Sequence, residues 1–70
     1  MKQKIKLNLR RLKGLRVEKG LSQEDMAKLI GMPHSSYQRK ESGKNQFLLT
    51  EAYSISIVLN KEIRDIFFTN

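Results

Sequence analysis

The stretch from Ser22 to Gly43, SQEDMAKLIGMPHSSYQRKESG, constrains the fold more than any other part of the sequence. Apolar residues at helical spacing precede Gly31 and a short polar segment follows it, so the pattern predicts two short helices joined by a tight turn. Ser22 is a favourable N-cap for the first helix, and Asp25 supplies the acid of a shortened capping box. Gly31 is expected to end this helix by adopting a left-handed backbone conformation.

The second helix of the pair is predicted from about Pro33 to Ser42, and its side chains are unusual for a helix that packs in a core. Tyr37 and the stem of Lys40 are expected to face inward, but too few apolar residues are present for burial to stabilise the helix. Such a helix is better suited to lying against a polar groove than to filling a core. The hydrogen-bonding side chains available for that contact are those of His34, Ser35, Ser36, Gln38 and Arg39.

The segments LSQEDMAKLIG and SSYQRKESGK resemble the helix-turn-helix of the Cro and repressor family (XRE type) of phage and bacterial transcription regulators. The resemblance extends over about residues 8 to 67. It implies an all-α fold, in the form of a compact five-helix domain like that of lambda repressor, and binding to a double-stranded DNA operator. The residues that stand at the family spacing are Gln23, Ala27, Gly31, Glu41 and Gly43.

Length and charge are consistent with a small DNA-binding domain. A single domain of 70 residues buries about 60% of the surface of its unfolded chain, so oligomerisation would help its stability. The 14 Lys and Arg residues against 7 Asp and Glu give a net charge of +7, which favours an anionic partner, although many small basic domains bind no nucleic acid. The absence of cysteine excludes a disulfide framework and is compatible with the cytoplasm. No apolar run reaches the roughly 18 to 20 residues of a membrane span.

The remaining apolar pattern predicts three more helices, over about residues 8–19, 50–60 and 61–68, and Thr50 or a neighbour is expected to cap the second of them. Residues 1–7 are predicted to be a flexible basic leader. Phe47 is expected to insert its loop into the core. The predicted core comprises Leu9, Leu12, Leu15, Leu21, Met26, Ala27, Ile30, Tyr37, Leu49, Ile55, Leu59, Ile63, Ile66 and Phe67. A basic run, interpreted either as a contact to DNA phosphates or as a solvated surface, comprises Lys2, Lys4, Lys6, Arg10 and Arg11.

Carrying the family's DNA contacts over by position gives three base-reading residues, which are His34, Ser35 and Arg39. Arg39 can donate two hydrogen bonds to O6 and N7 of a guanine. His34 has a phosphate as its alternative target, and each of the three could also be an exposed helix residue without a function. Contacts to sugar and phosphate are expected from Gln23, Ser36, Gln38, Lys44 and Asn45.

Two further pairs of residues are assigned structural roles. The resemblance implies a partly buried salt bridge between Arg16 and Glu41 that joins the first helix to the third, and the alternative is a solvent-facing Arg16 that contributes almost nothing. Ile57 and Phe68 have no obvious place in the core. We expect them to contribute to a homodimer, because related repressors pair through their C-terminal portions, and the alternative is a loosely packed edge.

The sequence contains no evident catalytic or metal site. His34 is its one histidine, cysteine is absent, and the acidic residues are scattered over outer helix faces. We therefore expect no enzymatic activity, metal, cofactor or small-molecule ligand. The principal interpretation is a sequence-specific regulator, Cro-like or a phage or mobile-element repressor. The alternative is a helix-turn-helix-like protein-interaction module, such as an antitoxin-like partner or a repressor antagonist.

Overall fold

The computed structural model describes residues 6–69, and this part of the chain forms five α-helices and no strand. The helices are α1 (Leu9–Glu18), α2 (Gln23–Leu29), α3 (His34–Glu41), α4 (Leu49–Leu59) and α5 (Ile63–Phe67). The all-α, five-helix fold expected from the sequence is confirmed. Within residues 6–69, no helix has both the length and the apolar character needed to cross a membrane. Lys2 and Lys4 of the basic run lie outside the described residues.

The beginning of α1 is attached to the end of α5. Leu7, which the sequence places in the leader, packs against the core. Asn8 caps α1, since its Oδ1 accepts from the backbone N–H of Arg11 at 3.0 Å. The backbone N–H of Asn8 donates to the carbonyl of Phe67 at 2.7 Å, and its side-chain amide donates to the carbonyl of Thr69 at 2.8 Å. These contacts hold residues 7 and 8 against the end of α5, and residues 1–5 of the predicted leader lie outside the described residues.

The turn between α2 and α3 is formed largely by local interactions. Ser22 Oγ accepts from the backbone N–H of Asp25 at 3.0 Å, and Asp25 Oδ2 accepts from the backbone N–H of Ser22 at 3.0 Å, which completes the predicted capping box. Gly31 has a φ of +72°, the left-handed conformation expected of it. Pro33 lies immediately before α3 instead of in its first turn, and its side chain supplies no cap.

The core lies where α1, α2 and α3 meet α4 and α5. Phe47 packs between two buried rings, with centroid distances of 5.9 Å to Tyr37 and 5.8 Å to Phe67, so the loop after α3 enters the core as predicted. Leu9, Leu15, Leu21, Ile30 and Ile63 pack against the core but are only half-buried. The buried apolar residues are Leu12, Met26, Ala27, Tyr37, Ala52, Ile55, Leu59, Ile66 and Phe67.

The beginning of α4 differs from the sequence prediction. Leu49, predicted to be a core residue, is 76% exposed, whereas Ala52 is buried. Leu49 lies on the same side of α4 as the exposed Tyr53 and Ile57, whereas Ala52 lies on the side of the buried Ile55 and Leu59. Thr50 lies inside α4 and does not cap it, because Leu48 holds the N-cap position.

A carboxylate from the first turn stabilises this end of α4. Glu51 Oε1 accepts from the backbone N–H of Leu48 at 2.8 Å. The same carboxylate pairs with Lys40 Nζ of α3, at 2.6 Å and 2.8 Å from its two oxygens. Lys40 therefore does more than cover the edge of the core with its stem, because its ammonium group joins α3 to α4.

Candidate nucleic-acid interface

The carboxylate of Glu41, at the end of α3, forms a buried ion pair with Arg16 of α1. Glu41 Oε2 lies 2.9 Å from Arg16 Nε, and Glu41 Oε1 lies 3.0 Å from Arg16 Nη2. Arg16 is 5% exposed and Glu41 is 6% exposed. Arg16 Nη1 also donates to the carbonyl of Leu21 at 2.6 Å. Two hydrogen bonds between the same two side chains fix both their distance and their orientation. Arg16 therefore attaches the buried side of the end of α3 to α1.

Two further donors reach Glu41. The hydroxyl of Tyr37 donates to its Oε2, and Gln23 Nε2 of α2 donates to its Oε1 at 3.0 Å. Burial alone would raise the pKa of Glu41, but the hydrogen bonds from Arg16, Tyr37 and Gln23 outweigh it and place the pKa below its usual value. Burial, together with the hydrogen bond to Glu41, raises the pKa of Tyr37, so its hydroxyl keeps the proton that it donates. One ionised carboxylate thus connects α1, α2 and α3.

The opposite face of α3 is polar and turned toward solvent. His34, Ser35, Gln38 and Arg39 are exposed, and Ser36 is half-buried. Each of these side chains can donate a hydrogen bond, and all but Arg39 can also accept one. A shallow depression on this face is lined by Ser35, Gln38, Arg39, Ser42 and Lys44. The arrangement offers a row of donors to an anionic or polar partner, and the buried network holds the helix in place behind them.

The loop after α3 folds back over the last turn of the helix. Gly43 has a φ of +87°, which reverses the chain direction. The backbone N–H groups of Lys44 and Asn45 then donate to the carbonyl of Arg39, at 2.9 Å and 3.2 Å. Lys44 and Asn45 are both exposed, and the loop brings them beside Arg39.

The other candidate DNA contacts lie outside α3. Gln23 is half-buried at the start of α2, and its amide nitrogen keeps one N–H after donating to Glu41. Arg10 is exposed. Arg11 Nε donates to the carbonyl of Asp65 at 2.6 Å, which ties this side chain to α5. Within the basic run, Arg11 is therefore distinguished by a structural partner within the domain.

The two residues assigned to a dimer contact lie in different grooves. Ile57 is 63% exposed and lines a groove with Tyr53 and Ile63. Phe68 is 52% exposed and lines another groove with Phe47. Ile57 and Phe68 therefore line two different grooves.

Sequence patterns missed two features of this region. The pairing of Lys40 with Glu51 leaves no signal at a fixed spacing, because the two residues lie on different helices. The exposure of Leu49 was also missed. Its position four residues before Tyr53 and eight before Ile57, all on α4, is a signal that could have revealed an outward apolar stripe. Within residues 6–69, no three His, Cys, Asp or Glu side chains are grouped closely enough to hold a metal ion.

The sequence profile described as Helix-turn-helix matches residues 12–66 of this chain. The chain belongs to the helix-turn-helix family, XRE type. A search of curated proteins gives no match. Among solved structures, this helix-turn-helix protein is similar to the restriction-modification controller protein C.AhdI from Aeromonas hydrophila, with 36% sequence identity and a TM-score of 0.77. The alignment covers 84% of this chain and 89% of that chain. The expected resemblance is confirmed, and the protein is a DNA-binding transcription regulator.

Proposed function

We propose that this helix-turn-helix protein binds double-stranded DNA in a sequence-specific manner and inserts α3 into the major groove. The observation that carries the proposal is the division of α3 into two faces. Tyr37 and Glu41 fix the inner face, and the outer face presents a row of exposed polar side chains. An α-helix fits the major groove of B-DNA, where each base pair shows a distinct pattern of donors and acceptors.

In the proposed complex, two sets of side chains contact different parts of the DNA. His34, Ser35 and Arg39 face base edges, with Arg39 placed to donate to O6 and N7 of a guanine. The side chains proposed to contact sugar and phosphate are Gln23, Ser36, Gln38 and Lys44, whereas Asn45, which the resemblance assigns to the same set, lies beside Arg39. These backbone contacts fix the register of the protein on the duplex and supply affinity that falls with added salt.

The proposed regulator acts as a homodimer that pairs through α4. Leu49, Tyr53 and Ile57 are 76%, 60% and 63% exposed and recur along one side of the helix. Large apolar side chains that are contiguous and exposed are typical of subunit contacts. A two-fold dimer would place two copies of α3 on half-sites about one helical turn apart. Phe68, in its separate groove, lies outside this proposed contact.

We further propose that the protein represses transcription in the cytoplasm, in the manner of a Cro-like or mobile-element regulator. The similarity to a restriction-modification controller protein supports a regulatory role. A helix placed across a promoter excludes other proteins from the same groove, so occupancy of an operator is sufficient to repress.

Selection of bound duplexes from a random-sequence library tests the proposed function directly. We expect one enriched sequence with two-fold symmetry, and an affinity for it that falls steeply as salt is added. If binding weakens as salt is added but no sequence is enriched, specific recognition is contradicted. Tight 1:1 binding to a protein partner without duplex preference would instead support the protein-interaction module.

A further inference from the structure

Asn45 is held beside Arg39 by backbone contacts that do not involve DNA. Three donors converge on the carbonyl of Arg39, which are the backbone N–H of Lys44 at 2.9 Å, the backbone N–H of Asn45 at 3.2 Å and Ser42 Oγ at 2.9 Å. These bonds fix the loop against the last turn of α3. The side chain of Asn45 is therefore kept close to the side chain of Arg39 in the free protein.

The amide of Asn45 has one orientation that satisfies both of its ends. In that orientation, Nδ2 donates to the carbonyl of Lys44 at 2.9 Å and Oδ1 accepts from Arg39 Nε at 3.3 Å. The opposite orientation turns the amide oxygen toward acceptors and the amide nitrogen toward donors. Because the hydrogen-bond partners decide the orientation of an amide, we assign Oδ1 as the atom that faces Arg39.

We propose that Asn45 is a positioning residue that directs the guanidinium of Arg39 toward a guanine, and that it determines base specificity instead of contacting phosphate. The proposal rests on the proposed function, in which Arg39 reads a base edge. A guanidinium carries five N–H donors in one rigid plane. Holding Nε on Asn45 fixes that plane, and it leaves the two Nη groups to donate to guanine O6 and N7.

The energetic basis is pre-organisation of a flexible side chain. Arg39 is exposed, so without a partner its side chain would sample many rotamers before meeting a base. Ordering one such side chain on binding costs about 0.5 to 1.5 kcal/mol, so losing the Asn45 contact should reduce the preference for the guanine pair by about 2- to 10-fold. The loss should be confined to the base pair that Arg39 contacts, because Asn45 acts through that residue alone.

The test uses the full chain and the duplex recovered by selection from a random-sequence library. The base pair contacted by Arg39 is identified as the position at which Arg39→Ala loses its preference, and four duplexes are made with each possible pair there. Dissociation constants for all four are measured with the parent, Asn45→Ala, Arg39→Ala and the double variant. Lys44→Ala, next in the same loop, is the control for a phosphate contact, and circular dichroism checks that each variant keeps its helices.

The expected result is a loss of discrimination among the four duplexes in Asn45→Ala, with the salt dependence of affinity unchanged. In the Arg39→Ala background, Asn45→Ala should cause no further loss. Lys44→Ala should weaken all four duplexes by the same factor. Two results would overturn the positioning role and leave the proposed function standing. One is equal weakening of all four duplexes by Asn45→Ala, and the other is an undiminished effect of Asn45→Ala in the Arg39→Ala background. A library without any preferred duplex would overturn both.

Discussion

Gln23 of α2 donates to Glu41 of α3 at 3.0 Å, through the same carboxylate that Arg16 of α1 binds with two hydrogen bonds. A residue proposed to touch the DNA backbone is thus oriented by the group that anchors α3. The spacing between the proposed phosphate contact on α2 and the proposed base contacts on α3 is therefore set by contacts inside the protein. Glu41 is the residue on which this geometry depends.

Removal of the Glu41 charge should destabilise the domain strongly. Glu41→Gln leaves Arg16 buried without a charged partner, which costs about 3 to 5 kcal/mol of unfolding free energy. Glu62→Gln is the matched control, because Glu62 lies 3.7 Å from Arg64 in an exposed pair and its loss costs about 0 to 1 kcal/mol. Urea denaturation followed by circular dichroism measures both. Equal midpoints for the two variants would show that the buried pair contributes no more stability than the exposed one.

Stability should fall on acidification, and Glu41 should account for part of the fall. The pKa of Glu41 in the folded protein lies below its usual value, since the bonds from Arg16, Tyr37 and Gln23 outweigh burial. A lowered folded pKa contributes stability that is fully present above the unfolded value of about 4.3, and that is lost as pH falls through the folded pKa.

The measurement is the unfolding free energy between about pH 7 and pH 3 for the parent and Glu41→Gln, in a stabilising osmolyte that keeps the variant folded. The variant should lose less stability over this range. Some pH dependence should remain, because hydrogen bonds from Ser22 lower the pKa of Asp25 in the folded protein. Parallel curves for the two proteins would contradict the assignment to Glu41.

Local signals were sufficient to predict the turn between α2 and α3. The capping box joins Ser22 to Asp25, and the positive φ of Gly31 needs no distant partner, so both can be inferred from neighbours in sequence. The pairing of Arg16 with Glu41 came from the family resemblance, because nothing in the periodicity of either helix selects that partner. The grouping of Gln23 with the same carboxylate became visible only when the packing of the helices was known.

Long-range packing decided the features that sequence analysis did not predict. Leu49 and Ala52 are both apolar residues of α4, but Leu49 shares a side of the helix with the exposed Tyr53 and Ile57, so Ala52 alone is buried. Phe68 and Ile57 are both exposed and apolar, but the path of the chain places them in different grooves. Spacing within one helix shows which residues share a side, but it does not show which side is buried.

Glu51 should contribute more to stability than Lys40, although the two form one ion pair. Glu51→Ala removes the pair and also the acceptor for the backbone N–H of Leu48 at the start of α4. Lys40→Met removes the pair but keeps an apolar stem of similar length. We expect Glu51→Ala to cost more by about 0.5 to 2 kcal/mol, the usual value of a helix cap. Thermal and urea unfolding of both variants and of the double variant measure the difference, and equal costs would rule out the capping role.

Arg39 should contribute to base preference, whereas Lys44 should contribute equally to the affinity for every duplex. Arg39→Ala should reduce discrimination at one base pair by about 1 to 3 kcal/mol and leave the helical content unchanged, because the side chain is exposed. Lys44→Ala should weaken every duplex alike and lower the slope of log affinity against log salt by about 0.9. Titrations of both variants against the selected duplex and its single-position variants measure the two effects. Unchanged base preference in Arg39→Ala would remove this residue from the base-reading set.

Ile57 and Phe68 provide a matched pair for testing the dimer surface. Ile57→Asp places a charge in the exposed stripe of α4, so it should lower self-association and affinity for a two-fold symmetric duplex together. Affinity for a duplex with a single half-site should stay unchanged, because the DNA-facing side chains of α3 are untouched.

Phe68→Asp should leave self-association intact, since Phe68 lines a different groove. Sedimentation velocity gives the oligomeric state of each protein. A parent protein that stays monomeric at high concentration would contradict the homodimer. A Phe68→Asp variant that dissociates while Ile57→Asp does not would place the subunit contact away from α4.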